Sequence, residues 1–428
     1  DEKGIMFSFE LPVGDEVVTI KKYYRRKDPR DGEGTVREIA VPALDIFPNY
    51  LDEHWRRYYV FNGHRDNVVV EPIVYGDASI VSKEQKGDIY DNGSMRRVEI
   101  ASITGDQAFP DALAVQSALD DQPFGVIVLG APDRIPERLA HTWTVGIDFG
   151  TSNTNIYSRV EGEDKARPWT FDFPRYIRRL TTADDEERER LLETFFLPDR
   201  PIHLPVATGL RIFEDGTKDH PILDYFAHFN SSYTPSSSVR TGLKWEREGA
   251  RDTEYFLESL LILVLIEVVN QRASQLRLRC SYPKAFSDNL LALFKGEWER
   301  VVKRVCTGEQ RVINTKEAPG DAQKIELLDM TFHKEGRASG AYFASPLTIE
   351  SFVERADTAV AAICLDVGGG TTDISVWSRN EIVYDASVLL AGKQISNVLR
   401  KMPRLRELLF SSEAAVALDE TKDQPSQF

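Results

Sequence analysis

The sequence has few cysteines and no apolar run that is long enough to cross a membrane. Its three cysteines, Cys280, Cys306 and Cys364, lie far apart without Cys-x-x-Cys spacing, which argues against a zinc site and a disulfide scaffold. We therefore expect a reducing, cytoplasmic location. The longest apolar run, residues 260–266, falls well short of the ~18–20 residues that span a bilayer, so it predicts a core helix and no transmembrane segment.

Positive charges are outnumbered by negative ones, and the common catalytic motifs are absent. Lys and Arg number 53 against 68 Asp and Glu, and the resulting net charge of −15 argues against binding to nucleic acid or to an anionic membrane. The sequence contains no His-Glu-x-x-His, Gly-x-Ser-x-Gly or Walker A motif. A chain of 428 residues with 42% hydrophobic content is long enough for two or three globular domains.

Two short segments share one layout. The first is Asp148-Phe-Gly-Thr-Ser-Asn-Thr, and the second is Asp366-Val-Gly-Gly-Gly-Thr-Thr-Asp. Each follows a short apolar run and precedes an alternating stretch, which predicts a strand, a Gly/Thr turn and a second strand. Such a turn presents consecutive backbone N–H groups in a concave nest that suits phosphate oxygens. A carboxylate at the base of each hairpin suits a hydrated divalent cation. Two such hairpins predict two lobes that hold a nucleoside triphosphate from opposite sides.

These segments resemble the phosphate-1 and phosphate-2 motifs of the actin-like ATPase superfamily, and most closely those of its Hsp70 and bacterial-actin branches. The resemblance covers roughly residues 143–400. Weaker similarity lies at residues 276–288, at residues 335–342 and after the second motif at residues 390–399. The resemblance implies an α/β fold with a two-lobed, ribonuclease H-like ATPase core, and it implies ATP and Mg²⁺ as ligands.

The resemblance also implies roles for individual residues. Asp148 and Asp366 would hold the water shell of Mg²⁺, Glu335 would help to order the attacking water, and Asp373 would orient water or metal. Lys244 or Arg240 would supply the cation that faces the γ-phosphate. The backbone N–H groups that cradle the phosphates would come from Gly150, Thr151, Ser152 and Asn153 on one side and from Gly368, Gly369, Gly370 and Thr371 on the other.

Three regions are predicted along the chain. Residues 1–140 are expected to be a β-rich domain, residues 141–360 the first ATPase lobe, and residues 361–428 the start of an incomplete second lobe. The strands predicted in the first region cover residues 17–22, 36–41, 56–61, 68–75, 79–82, 96–102 and 124–129, and a short helix is predicted at 110–122. Further helices are predicted at 253–275, 288–305 and 348–360, and the charged run 184–190 predicts a solvated helix.

The adenosine pocket of the superfamily includes a third Gly-rich turn, which this sequence does not show after Gly370. Either the chain is truncated or the site for the base is incomplete. The identity of the nucleotide as ATP is therefore implied by the resemblance alone. The chain begins at Asp1 without Met, which is consistent with a fragment or a processed chain.

The main functional hypothesis is an ATP-binding protein in which Mg-ATP binding or hydrolysis drives a conformational switch. The switch would act on an unidentified protein partner through residues 1–140. One alternative is a nucleotide-controlled filament or scaffold protein that associates with itself. Another is a regulator that senses nucleotide without hydrolysing it. A small-molecule kinase would need a sugar-kinase signature, which the sequence does not show.

Overall fold

The computed structural model describes most of the chain between residues 5 and 391. The described residues are 5–14, 16–25, 30–35, 43–52, 55–63, 68–74, 76, 78–91, 94–105, 108–117, 122–135, 139–181, 185–213, 220–228, 239–245, 250–307, 312–313, 316–317, 325–343, 361–378 and 381–391. The strand predicted at 36–41 and the helix predicted at 348–360 lie outside them.

Every regular element that is described before residue 139 is a strand. In chain order these are β1 Ile5–Val13, β2 Glu16–Arg25, β3 Gly34–Thr35, β4 Ala43–Phe47, β5 Arg57–Gly63, β6 Val68–Ile73, β7 Ser79–Asp91, β8 Ser94–Thr104, β9 Ala112–Ser117 and β10 Pro123–Val128. They form one sheet in the order β1-β2-β3, a second in the order β10-β9-β6, and a larger one that contains β4-β5-β8-β7.

The helix predicted at residues 110–122 is wrong, because this segment contains strand β9. Its side chains alternate between half-buried and buried positions, with Leu113, Val115 and Ser117 on the buried side. This period of two is that of a pleated strand, and β9 pairs with a neighbouring strand on each side.

The rest of the described chain mixes strands and helices. The strands are β11 Leu139–Phe149, β12 Asn153–Val160, β13 Arg167–Pro168, β14 Thr170–Phe171, β15 Arg178–Arg179, β16 Ile202–His203, β17 Val206–Ala207, β18 Gly209–Ile212, β19 Tyr225–His228, β20 Val239–Thr241, β21 Ala273–Tyr282, β22 Val312–Ile313, β23 Lys316–Glu317, β24 Glu326–Lys334, β25 Ala362–Val367, β26 Thr372–Ser378 and β27 Glu381–Val388. The helices are α1 Phe173–Tyr176, α2 Asp185–Phe195, α3 Ala250–Asn270, α4 Asp288–Val302 and α5 Glu335–Phe343, with a 3₁₀ turn at Leu243–Trp245 and a π-helical turn at Lys303–Thr307.

A mixed sheet in the order β13-β12-β11-β21-β24 carries the first predicted hairpin. Strand β11 pairs antiparallel with β12 and parallel with β21, which in turn pairs parallel with β24. Helices α3 and α4 pack at the end of β11, where the Phe149 ring lies 5.4 Å from that of Phe256 and 6.2 Å from that of Phe294. The α/β class predicted from the sequence is confirmed. The two-lobed division of the core stays a prediction.

Two predicted helices end earlier than the sequence suggested. Helix α3 ends at Asn270, whereas 253–275 was predicted, because Arg272 takes a positive φ of 64° and reverses the chain into β21. Helix α4 ends at Val302, whereas the sequence predicted an α-helix to residue 305. Residues 303–307 form a π-helical turn instead. The start of α4 is capped by Ser287, whose hydroxyl accepts a hydrogen bond from the Leu290 N–H at 3.3 Å.

Helix α2 and the N-terminal strands share a core. Strand β15 joins the larger N-terminal sheet by pairing with β4. The Phe196 ring packs against the rings of Phe47 and Phe61, at 6.2 and 5.3 Å. The sequence predicted that the helix at 184–190 is solvated. This is wrong for Arg188, which is buried and forms an ion pair with buried Asp45. Helix α2 is therefore connected to the N-terminal sheet through the buried charge of Arg188.

A tyrosine links the N-terminal strands to helix α3. The Tyr50 hydroxyl donates to the Ile266 carbonyl at 3.3 Å in a buried setting. We expect Tyr50→Phe to lower the free energy of unfolding by about 1 kcal/mol, because one buried hydrogen bond is lost while the ring packing is kept. Denaturant unfolding would measure this. Tyr157→Phe, which alters an exposed tyrosine, is the matched control, and equal stability of the two variants would contradict the prediction.

The second predicted hairpin belongs to a separate three-stranded sheet, β25-β26-β27. Helix α5 follows β24 directly and packs on this sheet so closely that a Cβ atom added to Gly340 would lie 1.8 Å from the Trp377 Nε1. Lys284 and Lys334, which lie just after β21 and at the end of β24, both bind Asp385 on β27 at 2.9 Å. Both hydrogen bonds lower the pKa of Asp385, and the bond from Lys284 has the larger effect. Helix α5 and these two ion pairs thus connect the two sheets.

Within the part of the chain that the structure describes, no helix is both long and apolar enough to span a membrane.

Candidate functional site

The tip of the first hairpin is a tight turn between β11 and β12. The Gly150 N–H donates to the Asn153 carbonyl at 3.0 Å and closes the turn. A Cβ atom at position 150 would lie 2.3 Å from that carbonyl oxygen, so only glycine fits. Strand β17 supports the tip from the side, because the Thr208 N–H donates to the Ser152 carbonyl at 2.8 Å. The tip is therefore held in one shape by backbone hydrogen bonds, one within the turn and one from Thr208.

Asp148 lies at the base of this tip. It is the second-last residue of β11 and lies beside Ser281 of the parallel strand β21. The Ser281 hydroxyl donates to one Asp148 carboxylate oxygen at 2.5 Å. This bond fixes the carboxylate at the end of the sheet, next to the turn.

The second hairpin repeats the arrangement. The Gly368 N–H donates to the Thr371 carbonyl at 2.8 Å and closes the turn between β25 and β26. Asp366 accepts a hydrogen bond at 2.8 Å from the hydroxyl of Ser339, which lies on α5. In both hairpins a serine from a neighbouring element therefore holds the basal aspartate.

Asp373 lies directly opposite Asp366 in the β25–β26 register. It is buried and accepts a hydrogen bond from the Thr371 hydroxyl at 3.2 Å. Burial, together with the charge of Asp366, raises the pKa of Asp373, while the hydroxyls of Ser387 and Thr371 and the charge of Lys244 act in the opposite direction. Two carboxylates thus face each other below the second tip.

The two tips touch. A Cβ atom added to Gly369 would lie 2.2 Å from the Ser152 Oγ, and one added to Gly370 would lie 2.6 Å from the Thr151 Oγ1. These distances are far inside van der Waals contact, so the absence of side chains at Gly369 and Gly370 is what lets the hairpins meet. The structure therefore brings together the two segments that the sequence separates by more than two hundred residues.

A buried ion pair lies behind the tips. The Lys244 ammonium binds the Glu335 carboxylate, and the Lys244 Nζ lies 6.0 Å from the centre of the Phe149 ring. Burial raises the pKa of Glu335 to about 7, the charges of Asp148 and Asp373 add to this, and Lys244 opposes it. The second cation considered from the sequence, Arg240, pairs instead with Asp252 and is half exposed.

The side chains at the tips fit a magnesium-bound phosphate group. Asp148, Glu335, Asp366 and Asp373 bring four carboxyl groups and Lys244 a single ammonium, so a divalent cation would offset much of the negative charge and favour the binding of an anion. The hydroxyls of Thr151 and Thr371 and the backbone of the turns supply the donors that phosphate oxygens need. No group of three or more His, Cys, Asp or Glu side chains that could hold a metal was found among the described residues. Two aspartates that would hold Mg²⁺ through its bound water molecules do not need such a cluster.

Sequence reasoning missed three residues of this site: Trp245, Ser281 and Ser339. The indole N–H of Trp245 donates to the Thr151 hydroxyl at 2.8 Å. Trp245 directly follows Lys244, which was a candidate for the cation at the γ-phosphate. The neighbouring sequence, however, gives no sign that Trp245 contacts a hairpin tip 94 residues away. Ser281 had a sequence signal, because it lies within residues 276–288, one of the segments with weaker similarity to the superfamily.

A comparison with models of known protein families found no match. Solved structures with some similarity include MreB5 of Spiroplasma citri bound to AMPPNP, at 13% identity and a TM-score of 0.32, over 66% of this chain and 62% of that one. A MamK double helical filament gives 15% identity and a TM-score of 0.34, over 64% and 63%. The ethanolamine utilization protein EutJ from Carboxydothermus hydrogenoformans gives 12% and 0.26, over 67% and 62%. The chain thus spans about three fifths of the length of each of these structures.

Proposed function

We propose that this chain binds a nucleoside triphosphate with Mg²⁺ at its two glycine-tipped hairpins and hydrolyses it. The observation that carries the proposal is the direct contact of the tips, Gly369 against Ser152 and Gly370 against Thr151. Each tip has its own aspartate at the base, and two hairpins that meet in this way can contact the same phosphate group. ATP is the nucleotide that the motif resemblance implies.

Each element of the site has a task in this proposal. Backbone N–H groups of the turns and the hydroxyls of Thr151 and Thr371 would bind phosphate oxygens. Asp148 and Asp366 would hold the water shell of Mg²⁺, which neutralises phosphate charge and orients the leaving group. The ammonium of Lys244 would face the terminal phosphate, and the Glu335 carboxylate would order the attacking water. Asp373, opposite Asp366, would orient the water shell of the metal.

The same contacts support a conformational output. The first tip belongs to the mixed sheet and the second to the β25-β26-β27 sheet, so a phosphate that binds between the tips must change the distance between two sheets. Residues 1–140, whose described members Phe47 and Tyr50 contact the first of the predicted lobes, 141–360, would carry this change to a protein partner. Residues 361–428 would be the part that moves.

One observation favours a second candidate, a regulator that senses nucleotide without hydrolysing it. The pKa of Glu335 is raised to about 7, so a large fraction of this carboxyl group is protonated at neutral pH. A protonated Glu335 orders water poorly as a base. Binding would then be retained while hydrolysis is slow.

Calorimetric titration of the whole chain tests the proposal. We expect micromolar binding of Mg-ATP and Mg-ADP and much weaker binding of AMP, because the tips contact phosphates and the sequence shows no complete base pocket. Chelation of Mg²⁺ by EDTA is expected to abolish the heat, since four carboxyl groups then face the phosphates. Absence of heat with Mg-ATP and Mg-ADP, or AMP binding as tight as that of ATP, would contradict the proposal.

A further inference from the structure

The 3₁₀ turn Leu243–Trp245 lies between strand β20 and helix α3 and faces the candidate site. The Thr253 hydroxyl on α3 donates to the Leu243 carbonyl at 2.7 Å in a buried position, which anchors the turn. From this turn the Lys244 side chain reaches Glu335, the first residue of α5, while the Trp245 side chain reaches the hairpin tips. Two residues of this turn therefore reach the candidate site, Lys244 at the start of α5 and Trp245 at the tips.

The Trp245 side chain touches both tips at once. Its Nε1–H donates to the Thr151 Oγ1 at 2.8 Å on the first tip. On the second tip, a Cβ atom added to Gly370 would lie 2.6 Å from the Trp245 Nε1 and 3.3 Å from its Cδ1. The Phe286 ring holds the indole from a third side, edge to face, with ring centroids 5.0 Å apart. The indole is thus fixed in orientation and directed at the junction of the tips.

The hydrogen bond from the indole also determines what the Thr151 hydroxyl does. An indole N–H is a donor only, whereas a hydroxyl has one hydrogen to donate and an oxygen that accepts. Because the Thr151 oxygen accepts from Trp245, its own hydrogen points to a different acceptor. Phosphate oxygens are acceptors, so this hydrogen bond prepares the Thr151 hydroxyl to donate to a phosphate.

We propose that Trp245 is a positioning residue of the triphosphate site, which contacts both tips and orients the Thr151 hydroxyl as a phosphate donor. The inference rests on the proposed binding of a nucleotide at the tips. It adds a specific consequence: a phosphate that enters between the tips changes the surroundings of the indole. The fluorescence of Trp245 therefore reports binding directly.

Trp245→Phe is the most informative variant, because it removes the N–H donor and the pyrrole part of the indole that faces the tips, while a phenyl ring remains to pack against Phe286. We expect Mg-ADP to bind about five- to tenfold more weakly, which corresponds to the loss of one hydrogen bond. Thr151→Val, which removes the acceptor from the other side of the same bond, is expected to weaken binding at least as much. Thr151→Ser keeps the hydroxyl and is expected to bind almost as the wild type does.

The experiment is a titration of the full chain with Mg-ADP, followed by calorimetry and by tryptophan emission. The chain has six tryptophans, so the difference between wild type and Trp245→Phe isolates the signal of Trp245. We expect the emission change of the wild type to be lost in Trp245→Phe and retained in Trp143→Phe. Trp143 is the matched control because it lies near the start of β11, away from the tip.

A second measurement needs no nucleotide. In the ligand-free protein, Thr151→Val is expected to shift the tryptophan emission to shorter wavelength, because the indole loses a polar partner, whereas Thr151→Ser is expected to leave it unchanged. This test keeps the proposal open to refutation even where Trp245→Phe folds poorly.

The outcomes separate the two proposals. If the wild type binds Mg-ADP while Trp245→Phe has the same affinity and the same emission change, then the positioning role of Trp245 is wrong and nucleotide binding stands. If the wild type binds neither Mg-ADP nor Mg-ATP, then the proposed function is wrong and the role of Trp245 as a phosphate-site residue is wrong with it.

Discussion

Asp366→Asn is expected to lower the rate of Mg-ATP hydrolysis on the order of 100-fold, and Asp148→Asn is expected to do the same. Asparagine has the shape of aspartate, and its oxygen still accepts the bond from Ser339 or from Ser281. The change therefore removes a negative charge that holds the water shell of Mg²⁺ while the turn beside it keeps its shape. Phosphate release under saturating Mg-ATP, measured over a range of Mg²⁺ concentrations, would quantify the loss.

Asp329→Asn is the matched control for these variants. Asp329 is a half-exposed carboxylate on β24, in the sheet that also carries Asp148, and it pairs with Arg277 and Arg279. Its loss is expected to leave hydrolysis unchanged. Hydrolysis at the wild-type rate in both Asp148→Asn and Asp366→Asn would show that the hairpin bases take no part in the reaction.

Glu335→Gln is expected to have an effect of similar size, and it also predicts a pH dependence. The pKa of Glu335 is raised to about 7, with burial as the main cause. Only the ionised carboxylate orders water as a base, so kcat/KM of the wild type is expected to fall tenfold per pH unit below about pH 7. Glu335→Gln is expected to hydrolyse ATP about 100-fold more slowly and to lose this pH dependence. A wild-type profile that is flat between pH 5 and pH 8 would contradict the assigned role.

The raised pKa of Glu335 also predicts how the stability of the protein depends on pH. A raised pKa means that the folded state holds the Glu335 proton more tightly than the unfolded chain does. Its stabilising contribution is therefore full below about pH 4.5, the ordinary glutamate value, and is lost as the pH rises to about 7. Glu297 on α4, whose pKa burial also raises to about 7, contributes with the same sign. Glu297→Gln is thus expected to change the stability profile while the pH profile of hydrolysis remains, which separates the two residues.

The features that the sequence predicted are those that local pattern encodes. An Asp, a glycine turn and an alternating strand follow one another closely in both segments, so both hairpins were predictable from the order of residues. Helix α4 was predictable for the same reason, since Phe294, Trp298 and Val301 recur at helical spacing and all are buried.

The features that the sequence did not predict depend on contacts between distant segments. Strand β9 was predicted as a helix because its alternation is short and its neighbouring strands are needed to recognise it. The buried pair of Asp45 and Arg188 joins residues 143 positions apart, and a charged run alone gives no reason to bury one arginine. Trp245 reaches Thr151 only because the anchored turn places it there, so its role in the site follows from the fold.

Calorimetric titration of Mg-ATP into wild type, Asp148→Asn, Asp366→Asn and the double variant tests most directly whether the two hairpins form one site. If both carboxylates hold the water shell of one Mg²⁺, then either single change loses most of the metal's contribution, and the double variant is expected to bind scarcely more weakly than each single variant. Free-energy losses that simply add, or single variants that bind as the wild type does, would contradict a shared site.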